Sequence, residues 1–150
     1  VYLTNSAMYT GLFGAKAADD PEFGHLVETA LFAQRFHEDA RLNYARWGTD
    51  DCEVDLVESS QALKPVAALE IKWSDKYADK PELLKGLMKF VRANQLPSAW
   101  ATTRSLIRQQ TIDGSEIRHW PAAVLAFHYG VRAVQGRLAG FEAQIKEIVA

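Results

Sequence analysis

The chain has 150 residues, a length that suits one domain with one buried core. Hydrophobic residues at 48% and charged residues at 24% exclude a disordered, collagenous or purely coiled-coil polymer. A formal net charge of -2 argues against coating nucleic acid by bulk electrostatics, though not against a local basic surface.

Residues 1–3 read as a short β-like segment, and Asn5 or Ser6 offers a cap for a brief helix ending near Gly14. Residues 15–20 are small and polar, which predicts a loop. Pro21 opens the first amphipathic helix. Asp19, Asp20 and Glu22 sit at its positive end, and Leu26, Val27, Ala30, Leu31 and Gln34 keep helical spacing to about His37. From Leu42 the period changes to two. Leu42–Trp47 predicts a strand ended by Gly48-Thr49-Asp50-Asp51, residues 53–58 a second, and residues 59–65 a turn. Residues 66–73 predict a third strand, whose apolar run from Val66 to Leu69 suits a central position.

Pro81-Glu82 predicts the start of another helix, with Leu83, Leu84, Leu87, Met88, Phe90 and Val91 on its buried side. Ser98–Thr103 predicts a strand reached across that helix, and so parallel to its sheet neighbour. Asp113-Gly114, between residues 107–112 and 117–120, is a two-residue hairpin signal. From Ala122 the chain turns helical, and Val134, Leu138, Phe141, Ile145 and Ile148 make its end amphipathic. That stripe has two outlets, its own sheet or a second subunit in a homodimer. The expected fold class is α/β: one domain over residues 1–150, with a mixed central sheet flanked by helices in the order α-βββ-α-β, then a hairpin and C-terminal helices.

No apolar run approaches the roughly 18 residues that span a bilayer, and no basic region precedes an apolar stretch at the N-terminus. A membrane partner is therefore not expected. The lone Cys52 excludes an intramolecular disulfide and a cysteine-only zinc site, and fits a reducing, cytoplasmic setting. No Gly-rich phosphate loop is present, and the four histidines show no ligand spacing.

The informative residues are charges inside the predicted strands, where charges are depleted. Asp55 lies within Val54-Asp55-Leu56-Val57, and Glu70 and Lys72 within Leu69-Glu70-Ile71-Lys72-Trp73. Period two places Glu70 and Lys72 on one face and Leu69, Ile71 and Trp73 on the other. Neighbouring strands would bring Asp55 toward Glu70 across the ladder. Two adjacent carboxylates repel unless a cation or proton lies between them. Mg²⁺ commonly takes one or two carboxylates plus waters, and leaves room for a phosphate oxygen. A lysine beside it can hold an attacking water or offset charge on the transferring phosphoryl group. The plainer reading of the same string is an ordinary salt bridge.

An aspartate followed about fifteen residues later by Glu-x-Lys, on consecutive strands after a helix, resembles the PD-(D/E)xK nuclease superfamily. Val1-Tyr2-Leu3-Thr4-Asn5, Gly24-His25-Leu26-Val27-Glu28, Tyr44-Ala45-Arg46-Trp47, Glu53-Val54-Asp55-Leu56-Val57 and Leu69-Glu70-Ile71-Lys72 narrow the likeness. Together they resemble the C-terminal nuclease-like domain of a large prokaryotic group of AAA-type ATPases, a domain of unknown function related to archaeal Holliday-junction-resolvase-like nucleases. The likeness covers roughly residues 1–103. It departs from the pattern at Val54 (for proline), at Trp73-Ser74 (for a small polar pair) and at Asn5 (for aspartate).

The resemblance implies a restriction-endonuclease-like core and a Mg²⁺- or Mn²⁺-dependent nuclease. Asp55, Glu70 and the backbone carbonyl of Ile71 would be metal ligands, Lys72 would position the water, and Glu28 would be an outer-shell carboxylate or a further ligand. It implies DNA as substrate and an upstream ATPase module on the same polypeptide, in keeping with a chain that opens on Val1 rather than methionine. Glu28 has the alternative of pairing with Arg35 on its own helix. Lys76, Lys85 and Lys89 are candidate phosphate-backbone contacts whose alternative is a solvated face. Two other functions stand beside the nuclease: a non-catalytic interaction or regulatory module of the ATPase, and a hydrolase for a small phosphorylated molecule.

Overall fold

The structure is a computed structural model that describes residue 3 and residues 5–36, 41–48 and 52–149, with side chains as far as residue 139. The expectations of a strand over residues 1–3, a helix end at His37 and a turn over residues 48–51 fall wholly or partly outside these residues. So do the side chains of Phe141, Ile145 and Ile148.

The first helix, α1, spans Ser6–Phe13. Asn5 is its cap: the side-chain oxygen accepts from the Ala7 N–H at 2.7 Å, satisfying one of the free donors of the first turn. Helix α2, Phe23–Phe36, starts two residues after Pro21, because Asp20 first closes a turn by accepting from the Glu22 N–H with its carboxylate and from Phe23 N–H with its carbonyl. Strands β1 (Leu42–Trp47), β2 (Cys52–Ser59) and β3 (Pro65–Glu70) form the antiparallel meander. A short helix α3 (Lys76–Asp79), a 3-10 turn (Pro81–Leu83) and helix α4 (Lys85–Ala93) lead to β4 (Ser98–Thr103). Hairpin strands β5 (Arg108–Ile112) and β6 (Ser115–Pro121) precede one long helix, α5 (Ala122–Val149).

The six strands make one mixed open sheet in the order β1-β2-β3-β4-β6-β5. Strand β4 is parallel to β3, as the crossover through α4 requires, and also parallel to β6. The second hairpin strand therefore inserts beside β4 and leaves β5 at the edge. Asp113 and Gly114 both take positive φ, 50° and 82°, the geometry of a two-residue primed turn.

Helices cover both faces. Helix α4 seals one with Leu87, Phe90 and Val91 against Val54, Val57, Ala68, Ala101 and Ile117. On the other, Val27 and Leu31 of α2 and Leu125 and Tyr129 of α5 meet Leu56, Leu69 and Ile71. No helix among the described residues is long and apolar enough to cross a membrane.

Several expected boundaries are corrected. The third strand ends at Glu70 rather than residue 73, because side chains displace strand partners there, as described below. Val66 is half exposed, although β3 takes the expected central position, between β2 and β4. Pro81 begins only a 3-10 turn; the α-helix starts at Lys85, and Leu83 is exposed instead of buried. Tyr77 lies on α3. One continuous helix replaces the expected C-terminal helices.

Candidate active site

Asp55 owes its position to a break in strand pairing. On β1, Asn43 faces Val57 and Ala45 faces Val54, so Asp55 and Leu56 together oppose Tyr44 alone. An extra residue of this kind bends a strand and re-aims its side chains. Val54 and Val57 consequently both enter the α4-side core, while Leu56 enters the opposite one. Asp55, between them, turns its carboxylate to the end of β3. There Oδ2 accepts the Ile71 N–H at 2.6 Å, taking the place of a ladder carbonyl.

The next residue is held from the other side. The Lys72 N–H donates to Thr102 Oγ1 at 2.7 Å, and the Thr102 hydroxyl donates to the Lys72 carbonyl at 2.8 Å. Thr102 is fully buried on β4. Two side chains thus hold the backbone of residues 71–72 in place of strand pairing, and β3 ends where the candidate site begins.

Lys72 Nζ lies 2.7 Å from Glu70 Oε1, so the pair shares a face as period two requires. Asp55 and Glu70 are only 6% and 7% exposed. Burial pushes the Glu70 carboxyl up to about 7; Asp55 adds to the rise and Lys72 opposes it. Burial also raises Asp55, against the pull of the Ile71 N–H and Lys72. Glu28 of α2 is raised by burial and then by Asp55, with His25 and Lys72 acting the other way. Burial disfavours the charge on Lys72, but Glu70 and Asp55 outweigh it and leave the amine above its ordinary value. Three carboxylates and one ammonium therefore form a single electrostatic group, with the carboxylates in excess.

That excess leaves a mark. Glu70 Oε2 is buried and accepts no hydrogen bond within the protein. A buried carboxylate oxygen is costly unless a proton, a water or a cation meets it. A hard divalent ion resting on one or two carboxylates, with waters completing its shell, fits such a donor set. Among the described residues no three His, Cys, Asp or Glu side chains gather closely enough to hold a metal, so a closed zinc-type site is not built. Asp55, Glu70 and the Ile71 carbonyl are the groups that would hold Mg²⁺ or Mn²⁺.

Ile71, Lys72 and Glu28 line an open cleft of ≈ 490 Å³ between the start of α2 and the segment after β3. Its rim is built by long-range hydrogen bonds. Trp73 Nε1 donates to the Ala18 carbonyl at 2.9 Å and ties the loop before α2 across the cleft. Asp75 accepts from the backbone N–H groups of Arg104 and Ser105 at 2.9 Å and from the Ser105 hydroxyl at 2.7 Å. Desolvation opposes ionisation of Asp75, but these donors hold its carboxyl below the ordinary value. The Arg104 guanidinium lies over the Trp73 ring and the Lys76 amine over the Tyr77 ring. His25 Nδ1 stands 3.7 Å from Glu28 Oε2.

Glu28, Lys72 and Lys76 all line this cleft; Asp55 and Glu70 do not, and lie buried behind its wall, Asp55 bonded to the Ile71 N–H and Glu70 to the Lys72 amine. Lys85 and Lys89 do not line it; they lie on α4, and the Lys89 amine sits 3.3 Å from Cys52 Sγ. Cys52 thus has a basic neighbour that its sequence surroundings lack. Arg35 pairs with Glu58 rather than Glu28. The roles of Thr102 and Asp75 are not legible in the sequence. Their partners are some thirty residues away, and no local pattern announces them.

Comparison with family models, with curated proteins and with solved structures returns no match.

Proposed function

We propose that this cleft is the active site of a divalent-metal-dependent hydrolase of DNA phosphodiesters. The observation that carries the reading is the buried, unpartnered Glu70 Oε2, on a carboxylate that feels Asp55 and pairs with the amine of Lys72, a residue of the cleft wall. Mg²⁺ or Mn²⁺ held by Asp55, Glu70 and the Ile71 carbonyl would supply positive charge for a phosphate oxygen and lower the pKa of a water. The protein groups have separable tasks. Lys72 is charged, so it donates to the attacking water or to a phosphate oxygen and orients rather than deprotonates. Glu28, whose raised pKa brings it nearer neutrality, faces the cleft as an outer-shell carboxylate able to accept a proton. Lys76 and Arg104 place cations on the rim for flanking phosphates. A restriction-endonuclease-like core, an ATPase module on the same polypeptide and a cytoplasmic setting belong to the same reading.

A second reading keeps the fold and the ion but not the reaction: an interaction or regulatory module of the ATPase. The net charge of -2 and the acidic rim residues Asp19 and Asp20 favour it, because DNA affinity comes largely from neutralising phosphates.

The two separate experimentally. Calorimetry with Mn²⁺, then incubation with plasmid and single-stranded DNA, is run on the parent, Lys72→Ala and Asp55→Asn. The hydrolase reading expects metal binding and cleavage by the parent, with cleavage reduced roughly 100-fold or more in both variants at unchanged circular dichroism. Metal binding without any cleavage selects the interaction module. Variants that cut as fast as the parent overturn the assigned site.

A further inference from the structure

Helix α5 runs for 28 residues, about 42 Å at the standard rise, and its first turns are packed on the body. Ala122, Leu125 and Tyr129 are buried, and Gly130 lies against Gln34 of α2. From Val134 to Ala139 every residue is exposed. A helical segment standing alone in water is marginal even for good helix formers. This one also carries Gly136 and Gly140, each costing about 1 kcal/mol relative to alanine.

Eight apolar residues of α5 follow a strict repeat in the sequence. Val124, Phe127, Val131, Val134, Leu138, Phe141, Ile145 and Ile148 alternate spacings of three and four. That is a mean period of 3.5, the signature of a helix wound against another helix rather than of one lying on a sheet. Ala122, Leu125 and Tyr129 fall on the opposite side of the helix, so body packing and this seam do not compete. Within the described part the seam is open to solvent: Phe127 is 75% exposed, and Val134 and Leu138 are 58% exposed each.

We propose that α5 forms a parallel two-stranded coiled coil with α5 of a second copy of this chain, along the seam from residue 124 to residue 148. The occupant follows from the seam itself. Val124, Val131, Leu138 and Ile145 take the a positions and Phe127, Val134, Phe141 and Ile148 the d positions. Arg137 falls at g and Glu142 at the following e, opposite charges that meet across a parallel, in-register pair of identical helices. The seam is therefore complementary to itself, as a twofold interface must be. Val124, Phe127, Val134 and Leu138 alone expose about 400 Å², roughly half of what one partner buries in a stable specific interface. The proposal is independent of the chemistry assigned to the cleft.

Sedimentation equilibrium of the chain over a range of concentrations tests it. The parent is expected to show a dimer mass in reversible exchange with monomer. Leu138→Asp and Val134→Asp, at exposed seam positions, are expected to weaken association at least tenfold while leaving the β-sheet signal intact. Ala139→Asp, one residue off the seam, is expected to associate like the parent. A parent that stays monomeric at every concentration, as it would if the seam served a different protein, overturns the proposal. So does a dimer that survives both seam substitutions.

Discussion

Glu70→Gln isolates the electrostatic cost of the candidate site. Glutamine keeps the shape of the protonated side chain and removes its charge. In the metal-free protein the Glu70 carboxyl stands at about 7 against an ordinary 4.5. Each unit is about 1.4 kcal/mol, so an ionised Glu70 costs the folded state about 3 kcal/mol relative to the unfolded chain. The folded form binds this proton more tightly. The group's contribution to stability is therefore fully present below pH 4.5 and is lost as pH rises through about 7. The pull of Lys72 is already included in that position. Urea unfolding in chelator is expected to show Glu70→Gln more stable than the parent at pH 8, by up to about 3 kcal/mol, and equal to it near pH 4. Adding Mn²⁺ narrows the gap. An ion at a hundred times its dissociation constant stabilises the parent by about 2.7 kcal/mol, and the variant gains less because one ligand is gone. A variant less stable than the parent at pH 8 in chelator refutes the idea of an excess of buried negative charge. An equal gain from Mn²⁺ in both proteins refutes the role of Glu70 as ligand.

Two further perturbations test the scaffold. Thr102→Val removes the hydroxyl that holds both backbone groups of Lys72. Urea unfolding is expected to show a loss of about 1–3 kcal/mol, while cleavage falls more steeply than Mn²⁺ affinity; a variant with parental stability and cleavage would show that the clamp is dispensable. Leu87→Ala empties a fully buried position between α4 and the sheet and is expected to cost 2–5 kcal/mol, read by the same unfolding assay.

Much of the architecture was legible because it is local. Leu42–Trp47 and Ser98–Thr103 were placed residue for residue, since alternation over six positions is a property of the segment itself. Asp113-Gly114 announced its hairpin because few other pairs accept positive φ at both positions. Asn5 capped its helix as short-range geometry demands. Glu70 and Lys72 were placed on one face by counting alone, and their ion pair follows from that count.

What the segment could not encode by itself was decided by parts of the chain far away. The third strand was read through to residue 73, but it stops at Glu70 because Asp55 takes the Ile71 N–H and Thr102 takes that of Lys72. The hairpin could have lain at either edge; parallel pairing of β6 with β4 put β5 outside. Asp55 reaches the end of β3 through an extra residue in β2 relative to β1, a feature set by how two strands align and invisible in either one. Sequence spacing determined which charged residues this chain carries in its sheet. Tertiary pairing decided which of them became buried together, because burial and strand partners are supplied by the rest of the fold.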